Sequence, residues 1–119
     1  MISTLTKLKV CDNSGVKYAK CFKVYKTSSG TIGSLVYVSI KESKNDSKYK
    51  KGDVIKGIIV RNRKIINRNT GNFLCFDSND FVLIDLKYDI IGTRIFGPLP
   101  LELRKKRYVK LLSLSSSII

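Results

Sequence analysis

Short runs of β-branched and aromatic residues recur along most of the chain. Between residues 35 and 40, Val36, Val38 and Ile40 fall on one face and Leu35 and Tyr37 on the other, as in a half-buried strand. Similar runs span residues 20–26, 54–60, 73–76 and 81–86. The pattern predicts a mainly β protein.

The segments between these runs contain the residues that tight turns favour, namely Gly, Asn, Asp and Ser. They are residues 12–15 (DNSG), 28–30 (SSG), 51–53 (KGD), 69–71 (NTG) and 77–80 (DSND). Five or six short strands at this spacing predict a small antiparallel β-barrel. A chain of 119 residues has room for one such domain, residues 1–119. Gly57 interrupts the run 54–60, which indicates a bulge or a close backbone approach.

The last fifth of the chain has a different pattern. Pro98 and Pro100 break strand pairing, and Pro100 can occupy the first turn of a helix. Basic residues follow, and residues 108–114 offer apolar positions that can pack back on the barrel. We predict a C-terminal helical segment at about residues 99–114.

The charge balance points to a polyanionic partner. Lys and Arg total 23 against 9 Asp and Glu, so the formal net charge is +14. Residues 41–68 hold ten basic and three acidic residues, and residues 94–110 hold six and one. Nucleic acid is the leading candidate, because no basic amphipathic helix or spanning segment suggests a membrane.

Basic side chains beside Gly-containing turns are the candidate RNA contacts, through phosphates and 2′-hydroxyls. Alternation along a strand predicts that Arg61 and Arg63 point the same way. The full candidate set is Lys41, Lys44, Lys48, Lys50, Lys51, Arg61, Arg63, Lys64, Arg68, Arg104 and Lys105. Aromatic candidates for base stacking are Tyr18, Tyr25, Tyr37, Phe76 and Tyr108, although phenylalanines are expected in the core and tyrosines half-buried.

Catalysis and metal binding are disfavoured. Cys11, Cys21 and Cys75 form no C-x-x-C pair, and the chain has no histidine, so we expect three reduced thiols, no structural zinc and no cofactor. Nucleophile and phosphate-loop motifs are absent from the sequence. Four aspartates cluster within residues 77–89, in a spacing typical of turns rather than of a calcium loop. We therefore expect a non-enzymatic protein.

Several motifs in family order resemble the universal large-subunit ribosomal protein fourteen family. They are VCDNSG (10–15), CFKV (21–24), KGDV (51–54), GIIVR (57–61), GTRIFGP (92–98), ELR (102–104) and KLLSL (110–114). Phe76, Asn79, Val82 and Leu83 also follow Gly71 as in the family's central signature. Residues alone leave the role of GTRIFGP open between a structural turn and a functional site.

The resemblance implies a five-stranded barrel with short C-terminal helices, bound to large-subunit ribosomal RNA at the subunit interface. It further implies an intersubunit bridge to small-subunit RNA, contacts with neighbouring ribosomal proteins, and no homo-oligomer. In many lineages the Thr-Arg of the Gly-Thr-Arg motif and a downstream lysine bind a ribosome silencing or assembly factor. Here those positions are Thr93, Arg94 and Lys110.

Some positions depart from the family pattern. Thr70 precedes Gly71 where Asp, Asn or Ser is usual, LPL (99–101) replaces a segment that usually ends in Arg, and the tail SSSII (115–119) differs from the usual ending.

The chain begins at the family's usual start and is rich in Ile, Lys and Asn, residues with A/T-rich codons. We therefore expect the mitochondrial matrix as its compartment, with a plastid or an A/T-rich bacterium as alternatives. A free single-stranded nucleic-acid-binding barrel is the rival function.

Overall fold

A computed structural model describes residues 6–25, 30–45, 48–85, 87, 89–105, 108–115 and 117–119. At residues 104, 105 and 109 it describes the backbone alone. The strands are β1 (Lys7–Val10), β2 (Val16–Val24), β3 (Leu35–Ser43), β4 (Val54–Arg61), β5 (Ile66–Asn67), β6 (Phe73–Leu74) and β7 (Asp80–Ile84), and the helices are α1 (Glu102–Lys105) and α2 (Val109–Leu114). The predicted fold class, mainly β with short C-terminal helices, is confirmed.

Five strands close into a barrel in the order β1-β2-β3-β4-β7. Neighbouring strands are antiparallel except β1 and β7, which pair in parallel through Lys9 with Asp80 and Val10 with Phe81. An odd number of strands cannot alternate direction all the way round a closed ring, so one pair must be parallel. In this respect the expectation of an antiparallel barrel was incomplete.

Two strand predictions need correction. The run 73–76 forms no barrel strand, because only β6 is extended there and it pairs with β5 in a separate two-stranded sheet. The fifth barrel strand is instead β1, in which Leu8 and Val10 point inward and Lys7 and Lys9 outward. The runs 20–26, 35–40, 54–60 and 81–86 correspond to β2, β3, β4 and β7, except that positions 26 and 86 lie outside the described residues.

A closely packed cluster of apolar side chains fills the barrel. Val38, Ile40, Ile59 and Phe81 have no solvent exposure. Phe81 lies against Gly57, where an added Cβ would collide with its ring and approach the Val82 oxygen to 2.9 Å. Gly57 shows no register shift with either neighbouring strand. The glycine therefore marks a close approach and not a bulge.

A second apolar core joins the C-terminal segment to the outside of β4 and β7. It contains Ile58, Val60, Val82 and Ile84 from the barrel and Ile95, Leu99, Leu103 and Leu111 from the C-terminal segment. These two strands are thus covered on both faces. The expected packing of the C-terminal segment on the barrel is confirmed, and none of the described helices is long and apolar enough to cross a membrane.

Candidate nucleic-acid interface

The loop between β3 and β4 brings lysines together. The amide of Gly52 donates to the Ile40 oxygen, and the Ile40 amide donates to the Asp53 oxygen, both at 2.9 Å. The Asp53 carboxylate also accepts a hydrogen bond from the Lys50 amide at 2.9 Å. Gly52 has φ +93° with open space around its Cα, so its backbone conformation is what favours glycine there. These bonds hold the loop against the end of β3.

Four exposed lysines at the end of β3 and on this loop line one shallow groove, which we call the lysine groove: Lys41, Lys44, Lys50 and Lys51. Glu42 is the one acidic side chain among the described residues that line it. The Lys50 ammonium donates to the Asn45 oxygen at 2.7 Å, which fixes its position beside the other three. The arrangement concentrates positive charge where a phosphate backbone can reach it.

A second groove continues this positive surface. Lys44 lines it together with Lys9, Lys17, Tyr18 and Phe96, among others. Sequence reasoning missed Lys9 and Lys17, because both lie outside the two basic stretches. The alternation of KLKV in β1, which turns its lysines outward, could have found Lys9. Lys17 lies at the start of β2, next to the buried Val16.

Lys48 is exposed and lies apart from the lysine groove. It lines a cavity of about 460 Å³ with mainly apolar and aromatic walls, which include Tyr37, Tyr49 and Ile55. Its ammonium group lies 5.8 Å from the centre of the Tyr49 ring. We therefore place Lys48 at the rim of this cavity, where it can contact an anion, and not in the lysine groove.

Arg61 is engaged inside the protein. Its Nε donates to Asp80 Oδ2 at 2.5 Å, and its Nη1 donates to the main-chain oxygens of Phe96 at 2.9 Å and Pro98 at 3.3 Å. The Arg61 and Asp80 side chains are 11% and 4% exposed. We therefore assign Arg61 to the attachment of residues 96–98 to the barrel, and not to phosphate binding.

Arg68 has a similar structural position. Its Nε and Nη2 donate to the two carboxylate oxygens of Glu102 at 2.7 and 3.0 Å, and Nη2 also donates to the main-chain oxygen of Ile119 at 2.7 Å. The guanidinium thus links the segment after β4 to α1 and the tail. These three hydrogen bonds use Nε and Nη2, so Arg68 is first of all a structural link.

Arg63 and Lys64 are exposed, and they are the two cations of this region best placed for an external anion. Their amides donate to the side-chain oxygens of Asn79 and Asn62 at 3.0 and 3.1 Å. Arg63 lies beyond the end of β4, so strand alternation does not relate its direction to that of Arg61. Arg104 and Lys105 lie on α1, and their side chains fall outside the part that the structure describes.

The candidate cations are split between the two ends of one strand. The lysine groove precedes β4 and the pair Arg63 and Lys64 follows it. Eight residues of strand separate the two groups by roughly 25 Å. A ligand that contacts both groups must therefore be extended or large.

The motif at residues 92–98 is held by the turn at residues 12–15. Asn13 Oδ1 accepts hydrogen bonds from the amides of Thr93 and Arg94 at 2.9 and 3.2 Å, and Asn13 Nδ2 donates to Thr93 Oγ1 at 2.9 Å. Gly92 is required here, because an added Cβ would lie 2.9 Å from the Asp12 Cβ. These contacts thus fix the backbone of the motif against the turn at residues 12–15.

The side chains of Thr93 and Arg94 are nevertheless exposed. The Arg94 guanidinium lies 5.5 Å from the centre of the Phe96 ring, which is itself 50% exposed. Lys110 is exposed on α2, and the last turn of that helix accepts a bond from the Ile95 amide at its Leu114 oxygen, at 3.4 Å. The motif therefore combines a fixed backbone with the exposed side chains of Thr93 and Arg94, and the helix that carries the exposed Lys110 is hydrogen-bonded to it.

Two of the proposed stacking aromatics are built into the second core, which makes them poor candidates. Phe76 packs against it, and Tyr108 does so while its hydroxyl donates to the Gly33 oxygen at 3.1 Å. Burial raises the pKa of Tyr108. Tyr25 is 40% exposed, and the Lys7 ammonium lies 4.4 Å from the centre of the Tyr18 ring.

Asp80 and Asp85, two of the four aspartates within residues 77–89, have different structural roles. Asp85 forms a turn in which its carboxylate accepts bonds from the Lys87 and Asp89 amides, both at 2.9 Å, so its predicted turn role is confirmed. Asp80 is instead the buried partner of Arg61. Among the described residues no group of three or more potential metal ligands occurs. Cys11 and Cys21 are buried and Cys75 is exposed, all as free thiols.

The family comparison covers the whole chain. A family model described as ribosomal protein L14p/L23e matches residues 1–119.

Proposed function

Because the chain belongs to the ribosomal protein L14p/L23e family, structural proteins of the large ribosomal subunit, we propose that it binds large-subunit ribosomal RNA through the lysine groove. The observation that carries this proposal is the convergence of Lys41, Lys44, Lys50 and Lys51 on a braced loop. The exposed pair Arg63 and Lys64 supplies a second contact point.

In this proposal the chain acts as a rigid structural component that binds RNA phosphates and catalyses no reaction. Each lysine that neutralises a phosphate releases condensed counterions, so association is driven by entropy and weakens with salt. The main-chain hydrogen bonds of Gly52 and Asp53 hold the loop before RNA arrives, which lowers the ordering cost of binding. Family membership supports a structural role and not a catalytic one.

We also propose that the surface of Thr93, Arg94 and Lys110 binds a protein partner, such as a silencing or assembly factor. Its support is the rigid backbone beneath exposed side chains, because a preorganised surface loses little entropy on binding. Neighbouring large-subunit proteins and an intersubunit bridge to small-subunit ribosomal RNA complete the proposed set of partners.

The compartment we propose is the mitochondrial matrix, within the ribosome. The support is compositional: Ile, Lys and Asn are abundant, as expected from an A/T-rich genome. Locating the gene tests this directly. A mitochondrial gene would support the proposal. A nuclear gene would contradict synthesis inside the organelle, and a plastid or bacterial gene would contradict the compartment itself.

The salt dependence of binding tests the lysine groove. Purified chain is titrated with large-subunit ribosomal RNA at several salt concentrations, as wild type and as Lys41→Ala, Lys44→Ala and Lys51→Ala. Each variant should lower the slope of log affinity against log salt by about 0.7–0.9. Lys87→Ala is the matched control, because Lys87 is also exposed but its amide bonds to Asp85 in an acidic turn. Equal slopes for all four variants and wild type would contradict RNA binding through the groove.

A further inference from the structure

The outer face of β2, β3 and β4 carries aromatic and lysine side chains in one row. Tyr37 on β3 pairs with Lys23 on β2 and with Lys56 on β4. The ammonium groups of Lys23 and Lys56 lie 5.8 and 5.4 Å from the centre of the Tyr37 ring. Two cations therefore flank one aromatic ring on the same face of the barrel.

A β-bulge adds a second ring to this row. The pairing of β2 with β3 shifts between Cys21 and Lys23, so Phe22 is an extra residue opposite Val38 and Tyr37. Phe22 and Lys23 are consecutive and both exposed, which regular alternation along a strand would not allow. The Phe22 and Tyr37 ring centres are 6.3 Å apart, with a tilt of 39°. Bulges that redirect side chains are frequent beside functional sites.

We propose that this aromatic–lysine platform, Phe22, Lys23, Tyr37 and Lys56, stacks an unpaired RNA base on Tyr37 or Phe22 while its lysines neutralise the flanking phosphates. The inference deepens the proposed RNA-binding function and rests on it. Aromatic rings accept any base by stacking, and adjacent cations supply the phosphate contacts. Both lysines have flexible stems, so they can leave the ring face when a base occupies it.

The platform connects with the lysine groove. Tyr37 and Ser39 alternate along β3 on its outward face, and the exposed Lys41 follows two residues on, at a shift in the pairing of β3 with β2. Four residues of strand place Lys41 roughly 13 Å from Tyr37. A single strand stacked on the platform can therefore continue into the groove.

Charge and composition favour RNA over a protein as the ligand. Protein interfaces are depleted in lysine at their centres, whereas Lys23 and Lys56 lie on either side of the central ring. Phe22 is 43% exposed, so the aromatic surface is accessible. Unpaired nucleotides fit better than a duplex, because bases inside an A-form helix cannot stack on a side chain.

Affinity measurements with two RNA forms test the platform. The full chain is titrated with a short unstructured RNA oligonucleotide and with a duplex of the same sequence. Tyr37→Ala should weaken binding of the single strand by about tenfold, and Tyr37→Phe should keep it within about twofold, because stacking needs only the ring. Binding of the duplex should be unchanged in both variants. Equal single-strand affinities for wild type and Tyr37→Ala would overturn the proposal.

A fluorescence experiment keeps the proposal testable if Tyr37→Ala fails to fold. The chain has no tryptophan, so Tyr37→Trp introduces a single reporter that retains the stacking surface. Its emission should be quenched when the single strand is added. Phe73→Trp is the control, because Phe73 is 73% exposed on β6, outside the barrel. Equal quenching at both positions, or none at position 37, would contradict stacking on the platform.

The two proposals fail in different ways. If wild type binds neither the oligonucleotide nor large-subunit ribosomal RNA, RNA binding itself is wrong and the platform with it. If wild type binds both and Tyr37→Ala binds equally well, only the platform is wrong. If Tyr37→Ala binds RNA normally but no longer joins the large subunit, the face contacts a protein and the stacking proposal is overturned.

Discussion

Arg61 on β4 and Asp80 on β7 form a buried ion pair, with Nε and Oδ2 2.5 Å apart and side chains that are 11% and 4% exposed. The same guanidinium donates to the main-chain oxygens of Phe96 and Pro98. One side chain thus joins two barrel strands to the segment that leads into the C-terminal helices.

We predict that Arg61→Ala destabilises the protein by about 3 kcal/mol, because it leaves the Asp80 carboxylate buried without its cation. Chemical denaturation measures the loss. Arg63→Ala, at an exposed position two residues along, should change the free energy of unfolding by less than about 0.5 kcal/mol. A stable Arg61→Ala with impaired RNA binding would return Arg61 to the phosphate-binding set.

Gly97 is predicted to be less replaceable than Gly71, although both have positive φ, +83° and +88°. An added Cβ at Gly97 would collide with Nη1 of Arg61, whereas nothing lies within 4 Å of one at Gly71. Gly71→Ala should cost about 1 kcal/mol of backbone strain. Gly97→Ala should cost more, since it also displaces the Arg61 guanidinium. Equal losses in thermal or chemical unfolding would show that the Arg61 contact does not matter.

Asn13→Ala should loosen the backbone at residues 93 and 94, because Asn13 Oδ1 accepts both amides. Hydrogen exchange should then be faster at the Thr93 and Arg94 amides. Thr93→Val is the matched control, since it removes only the bond from Asn13 Nδ2 to the Thr93 hydroxyl. Slow exchange in Asn13→Ala would show that packing alone holds the motif.

Cys11 should make stability depend on pH in the alkaline range. Burial raises the pKa of its thiol from 9.0 to about 12, although the positive charge of Arg61 opposes this rise. Between these values the unfolded chain loses the thiol proton while the native protein keeps it, so the free energy of unfolding falls as pH rises. Wild type should lose more stability than Cys11→Ala between about pH 8 and about pH 11. Identical pH profiles in urea denaturation would contradict the raised pKa.

The local pattern of apolar and polar residues predicted the strands in which alternation is strong. It did not predict which strands pair with each other. The run 73–76 resembled a barrel strand because its residues are aromatic and apolar, yet β6 pairs only with β5. β1 is not among the predicted strands, since four residues carry little periodicity and the strand depends on β2 and β7 for its hydrogen bonds. Pairing is a tertiary property, so a single run of sequence does not reveal it.

The candidate nucleic-acid interface was likewise only partly predictable from local sequence. The sequence located the lysines of the β3–β4 loop, because positive charge and turn residues are both visible locally. It did not separate Arg61 and Arg68 from them, since their partners Asp80 and Glu102 lie 19 and 34 residues away. Phe22 was also missed, because the bulge that exposes it depends on the register of β3.

The most direct test of the account is sedimentation of a mitochondrial or cell lysate on a sucrose gradient, with this protein followed by mass spectrometry. Family membership predicts that it co-migrates with the large ribosomal subunit and with joined ribosomes, and that it remains bound after a moderate-salt wash. Recovery at the top of the gradient in low salt would contradict a ribosomal role and would favour a free nucleic-acid-binding barrel.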